Sequence, residues 1–103
     1  MKTSELIGDA LDWAVTRANY EVNYKTVWRH FKDKCAYSTD WALGGPIIER
    51  EGIELLCESL GFRWVAMPQK GPEWRGPTPL VAAMRCYVAA CLGDEVEIPE
   101  ELK

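Results

Sequence analysis

The stretch Thr78-Pro79-Leu80-Val81-Ala82-Ala83-Met84-Arg85-Cys86-Tyr87-Val88-Ala89-Ala90-Cys91-Leu92-Gly93 decides the fold. Thr78 is a helix N-cap, Pro79 carries the fixed φ that suits the first helical position, and Gly93 suits the residue past the end. Leu80, Met84, Tyr87 and Cys91 form one apolar stripe at helical spacing, with Val81, Val88 and Leu92 forming a second beside it. A helix apolar on most sides must be covered by other elements. Arg85 is its only charge between Pro79 and Leu92. An unpaired buried guanidinium is too costly to keep, so Arg85 needs a partner. A salt bridge to Glu49, Glu51 or Glu54 is expected, and a phosphate contact is the alternative.

Immediately upstream, residues 68–79 hold four of the six prolines and two glycines and read as a loop, with Trp74 and Arg75 near its tip. Before it, Ile53–Cys57 and Phe62–Met67 read as two strands that pair as a hairpin, with Leu60-Gly61 in the turn. Phe62, Trp64 and Ala66 then share one face, and Arg63, Val65 and Met67 the other. Gly44-Gly45-Pro46 reads as a break, with a short helix over 46–50. Residues 20–39 interleave aromatic side chains with Lys25, Arg29, His30, Lys32 and Lys34 and read as a loop with a helical turn around Thr26–Lys34. Thr3–Ala18 reads as a helix capped by Thr3 or Ser4, with Ile7, Leu11, Ala14 and Ala18 on the buried face and Gly8 weakening its first turns. The sum is a single α+β domain over 1–93, helices packed on a small antiparallel sheet, followed by an acidic tail over 94–103.

Composition narrows the function classes. The 103 residues suit one domain with a modest core, and 48% apolar against 27% charged is ordinary for a globular chain. No apolar run approaches the ~20 residues that cross a bilayer, so no membrane partner is expected, and no secretion signal is expected either. Residues 94–103 carry five acids against Lys103, which accounts for the whole net charge of −4. A globally basic nucleic-acid binder is therefore disfavoured. Cys35, Cys57, Cys86 and Cys91 contain no C-x-x-C pair, so they read as reduced thiols, mostly core filler, and no metal or other cofactor is expected.

Several segments carry a resemblance to a known family: Lys2-Thr3-Ser4-Glu5-Leu6 with Ala10-Leu11-Asp12-Trp13-Ala14-Val15, Tyr37-Ser38-Thr39-Asp40-Trp41-Ala42, Gly44 through Ile53, and Gly76-Pro77-Thr78-Pro79-Leu80 running on to Ala89. Together these resemble the phage NinX-like family, a domain of unknown function. Residues 19–36 and 57–72 carry no motif residues. The order of elements is also similar to small phage α/β sandwich domains. The resemblance implies an accessory phage product, dispensable for virion assembly, in a class of which many members act against the host and its immune signalling. It supplies no catalytic residues.

Candidate sites follow from the residues themselves. In Ser38-Thr39-Asp40-Trp41-x-x-Gly44-Gly45-Pro46, Trp41 offers a stacking face, Asp40 an acceptor, and Gly44 and Gly45 close backbone approach at a helix start that favours an anion. A turn and cap with Trp41 in the core is the structural alternative. Trp74, Arg75 and Thr78 form a second candidate, with a forked phosphate donor beside a helix N-terminus. Its alternative is a solvated loop with Thr78 as a plain cap. His30, the sole histidine, has no visible nucleophile partner, and neither Glu49 with Glu51 nor Glu100 with Glu101 resembles an acid/base pair across a cleft. The basic-aromatic stretch 20–37 has a net charge of only +2. It reads as a solvated segment or a dimer contact, with single-stranded nucleic acid as the other possibility. Five tryptophans exceed what one small core holds, which points to a pocket or interface and to a homo-oligomer.

The expected function is a non-enzymatic phage protein in the host cytoplasm that binds and sequesters a small nucleotide-type host signal. The expected ligand residues are Asp40, Trp41, Gly44, Gly45, Trp74, Arg75, Thr78 and Arg85. The alternatives are a protein-binding inhibitor of a host enzyme and a nucleic-acid-associated recombination or replication accessory.

Overall fold

A computed structural model describes every residue except Glu21, Ser59, Gly61 and Phe62. Among the described residues the chain forms α1 (Gly8–Asn19), α2 (Tyr24–Phe31), α3 (Trp41–Glu51), β1 (Glu54–Glu58), β2 (Arg63–Met67), β3 (Trp74–Gly76) and α4 (Pro79–Leu92). Single 3-10 turns lie at Thr3–Glu5, Lys32–Lys34 and Glu100–Leu102. This is the expected α+β arrangement, with helices against a three-stranded antiparallel sheet of order β1-β2-β3. The sequence placed α4 to the residue. Thr78 Oγ1 accepts from the Val81 N–H at 3.1 Å, Pro79 opens the helix, and Gly93 closes it at φ 89°.

Helix α4 is the spine of the molecule. Leu80, Val81, Ala82, Ala83, Met84, Cys86, Tyr87 and Val88 are all buried, between the sheet on one side and α1 and α3 on the other. Each large apolar side chain so buried contributes ~1.5–3 kcal/mol. The register pairs Trp64 with Gly76 and Ala66 with Trp74. A side chain on Gly76 would meet Val81 and the backbone of Ala82, so this face of the sheet touches α4. Leu55, Trp64, Ala66 and Trp74 face α4, and Leu56, Val65 and Arg75 face away. The hairpin pairs as expected, although its turn residue Gly61 and the face assigned to Phe62 lie outside the described residues.

Four expectations are corrected. The first helix begins at Gly8, not Thr3. Thr3 does not cap it. Its hydroxyl donates to the Gly93 carbonyl at 2.7 Å and the residue is fully buried. Gly8 sits at φ +58°, where glycine alone carries no penalty, and so turns the chain into α1 rather than weakening it. Ile7 is 54% exposed as a result, while Ala10, Leu11, Ala14 and Val15 fill the core.

The second correction is that residues 24–31 form a full helix, seated on α1 by half-buried Tyr24, Val27 and Trp28. The third concerns Gly44-Gly45-Pro46, which does not break the chain. Helix α3 starts at Trp41, capped by Asp40, whose Oδ1 accepts from the Ala42 N–H at 2.9 Å, and runs through all three residues. Pro46 forfeits one helical bond. Burial of Ile47, and of Gly44 against Tyr37 and Leu80, offsets that loss. The fourth is that Trp74–Gly76 is a strand and not a loop tip, because its backbone pairs with Trp64–Ala66.

The chain ends are strapped together. The Thr3 N–H donates to the Asp94 carbonyl at 2.7 Å, the Val96 N–H donates to the Met1 carbonyl at 2.9 Å, and Lys2 bridges Glu95. Within the acidic segment 94–103, Val96 and Ile98 are buried in the core while Glu97 and Glu101 point out.

Candidate functional site

Strand β3 is an edge strand, and its outer side meets the N-terminal segment and one face of α4. An open cleft of about 580 Å³ lies there. That volume is within the range of small-molecule sites. Arg85 lines this cleft. Its Nε donates to the Leu6 carbonyl at 2.8 Å and its Nη1 to the Arg75 carbonyl at 2.8 Å. These two bonds tie α4 to the N-terminal segment and to β3. The expected salt bridge to Glu49, Glu51 or Glu54 is absent, and among the described residues no carboxylate lies within ion-pair distance of Arg85. Glu54 lies on β1, at the opposite edge of the sheet from β3. Burial lowers the pKa of this guanidinium below its usual range. It stays charged, bonded among the described residues to carbonyl oxygens alone, with more donors than those two bonds use.

The other walls add charge and one ring. Trp74 is half-buried on the core. Arg75 is held on the opposite face of β3 by Glu58 and Glu73, at 3.2 Å and 2.9 Å. The bond to Glu58, then that to Glu73, raises its pKa. Arg63 reaches the same Glu58 carboxylate at 3.8 Å. Three arginines thus border the cleft against one lining acid, Glu73. Such an arrangement suits anions: the paired arginines are exposed enough to exchange a carboxylate for a ligand oxygen, and Arg85 needs no partner displaced.

Of the residues singled out in the sequence, Trp74, Arg75 and Arg85 come together in this cleft. Thr78 is next to the cleft residue Pro77, but its hydroxyl oxygen is engaged as the α4 cap. Asp40 is the α3 cap, Trp41 is 53% exposed at the first position of α3, and Gly44 and Gly45 are helical; none of the four borders the cleft. Gly44 is buried for a packing reason, since any Cβ there would lie 2.5 Å from the Tyr37 carbonyl oxygen.

Sequence reasoning missed Ser4, Arg63 and Glu73. Arg63 had a signal, since strand alternation set it apart from the core-facing Trp64, but without β3 there was no second arginine to pair it with. Elsewhere, His30 is exposed on α2, and Cys57 is exposed while Cys35 and Cys86 are buried. Among the described residues no helix is long and apolar enough to cross a membrane.

Fold and cleft together define a small α+β protein with an arginine-lined cleft at a sheet edge. The family model of bacteriophage P22 NinX matches residues 2–90, and the chain belongs to that family of phage proteins. No curated protein matches the chain.

Proposed function

We propose that this phage accessory protein is a non-enzymatic binder that sequesters a small nucleotide-type signalling molecule of the host, in the host cytoplasm. The observation that carries this reading is Arg85, a half-buried guanidinium bonded among the described residues to carbonyls alone and lining a 580 Å³ cleft. Its charge calls for an anion, Arg63 and Arg75 supply further phosphate donors, and Trp74 supplies a ring. Sequestration fits the three arginines, which hold charge, while the cleft carboxylate of Glu73 is engaged by Arg75 at 2.9 Å.

The test is a thermal-shift screen with linear and cyclic nucleotides, followed by native mass measurement of any complex. A ligand at a hundredfold excess over its Kd adds about 2.7 kcal/mol, which raises the midpoint by about 10 °C or more for a chain of this size. Ligand recovered intact after denaturation supports sequestration, and ligand recovered chemically altered makes the protein an enzyme. Absence of any shift across the panel overturns the reading.

Trp41, exposed at the start of α3, supports a second reading, a protein-binding inhibitor of a host enzyme. A pull-down lost on Trp41→Ala with the nucleotide shift unchanged would favour it. Exposed Leu56 and Leu60 on the hairpin support a homo-oligomer, which light scattering tests directly.

A further inference from the structure

Away from the arginine cleft, α2 carries two parallel stripes. Tyr24 and Trp28 lie one turn apart, about 6 Å along the axis, and form an aromatic stripe. Lys25 and Arg29, continued by Lys32 in the following 3-10 turn, form a cationic stripe one residue further round, with Lys32 paired to Asp9 at 3.1 Å. The cationic stripe is exposed, whereas Tyr24 and Trp28 are half-buried against α1 and leave only part of each ring open. Trp13 of α1, itself buried, lies beneath the stripe and meets Tyr24 edge to face at 5.7 Å. Cations already sit over these rings: Arg17 and Lys25 over Tyr24 at 6.0 and 5.8 Å, and Lys32 over Trp28 at 5.8 Å.

Facing the stripes across a trough is the acidic C-terminal segment. The trough has two adjoining parts of about 400 and 290 Å³, and both are bordered by Trp13, Lys25 and Pro99. Glu97 and Glu101 stand on the far wall. Across the trough the charges face each other without touching. Among the described residues, none of Arg17, Lys25 and Arg29 is within ion-pair distance of a carboxylate, and Glu97 and Glu101 are within that distance of no cation.

We infer that the aromatic and cationic stripes of α2 form a binding site for a single strand of nucleic acid, held at low affinity by Glu97 and Glu101 across the trough. Bases stack on the parts of the Trp28 and Tyr24 rings that border the trough, displacing the cations over them, and phosphates meet those cations, which is how strands bind without sequence preference. The two rings favour a strand over a purely acidic peptide, which would use the cations and leave the rings idle. The carboxylates occupy the field that phosphates would enter and repel them at close range. This site is independent of the arginine cleft, with which it shares no residue.

The experiment is fluorescence anisotropy with a labelled oligothymidylate of about a dozen nucleotides, a length suited to such grooves. The full chain is compared with the Glu97→Gln/Glu101→Gln variant and with the Lys25→Glu/Arg29→Glu variant. All four positions are exposed, so the fold is retained, and circular dichroism verifies it. The glutamine variant is expected to bind on the order of tenfold tighter than the parent. Its affinity should fall with salt at a logarithmic slope of about −2 to −3, the value for three to four phosphates on a single strand. The charge-reversed variant should lose binding. An affinity unchanged to within about twofold on removing the two carboxylates, or binding that survives reversal of Lys25 and Arg29, overturns the inference. Polyglutamate bound as tightly as the oligonucleotide overturns it in favour of an acidic protein partner.

Discussion

Gly44 and Gly45 are neighbours in one helix, yet replacing each with alanine should move stability in opposite directions. Neither has a positive φ, so alanine fits the backbone of α3 at both positions and gains up to about 1 kcal/mol of helix propensity. At Gly45 the new methyl group meets nothing closer than the Trp41 ring at 4.0 Å, an ordinary contact. The propensity gain survives, and the midpoint should rise by about 5 °C. At Gly44 the methyl group falls 2.5 Å from the Tyr37 carbonyl oxygen and 2.6 Å from Leu80 Cδ2. Carbon and oxygen pack comfortably at about 3.3–3.6 Å, so the helix must retreat by most of an ångström or the Tyr37 turn must open. Overpacking on that scale costs about 3 kcal/mol, which leaves a net loss of about 2 kcal/mol and a midpoint about 10 °C lower. Urea unfolding of the two single variants reads the difference, about 3 kcal/mol, from their midpoints if the slopes agree. Equal effects, or a stabilised Gly44→Ala, would refute the close packing of α3 on α4. The same variants separate packing from ligand contact. Gly45→Ala should keep any nucleotide shift in full, because Gly45 does not border the arginine cleft.

Arg85→Met should remove the nucleotide shift and also lower stability by about 1–3 kcal/mol in urea, since the Leu6 and Arg75 carbonyls lose a charged donor while the methionine keeps the stem packed. Asp12 is buried, and that burial raises its pKa above the ordinary 3.8 despite the Ser38 N–H donating to it at 2.9 Å. The folded state therefore holds this proton at pH values where the unfolded chain has released it. Stability should fall as pH rises from about 4 through the raised value, and Asp12→Asn should be flatter there and more stable at pH 7, as read by thermal unfolding across pH. In the native protein an aromatic disulfide reagent should label Cys57, while Cys35 and Cys86 should react only after denaturation, Cys86 having its thiol pushed by burial to about 11. Early labelling of the buried pair, read by mass, would contradict the packing of α4.

What could be read from the chain divides by range. Helix α4 announced itself because a cap, a proline, an apolar stripe and a terminal glycine agree within sixteen residues. The hairpin did so through alternation. Helix α3 was hidden because Gly44 and Pro46 are locally unfavourable in a helix, and their compensation comes from Tyr37 and Leu80, seven residues before and thirty-six after Gly44. Strand β3 was hidden because three residues in a proline-rich segment have no period to detect, and only pairing with β2 makes them a strand. The cleft inherits both problems. Trp74, Arg75 and Arg85 were legible as chemistry, but Ser4 and Arg63 reach them through tertiary contacts alone. Asp40 and Trp41 looked like a ligand motif because an N-cap and an anion-binding turn use the same residues.

The strap between the chain ends also bears on the order of folding. Lys2 meets Glu95, and Thr3 meets Asp94, across nearly the whole sequence. Closing so long a loop costs entropy before the strap's few hydrogen bonds can form to repay it. The hairpin, β3 and α4 are neighbours along the chain and can collapse together first. The strap then zips onto a body that already exists. Interactions formed that late control how fast the native state comes apart and contribute little to how fast it assembles. Val96 and Ile98 therefore act as a latch on unfolding, and wear at that latch would shorten the lifetime of the native protein without slowing its folding.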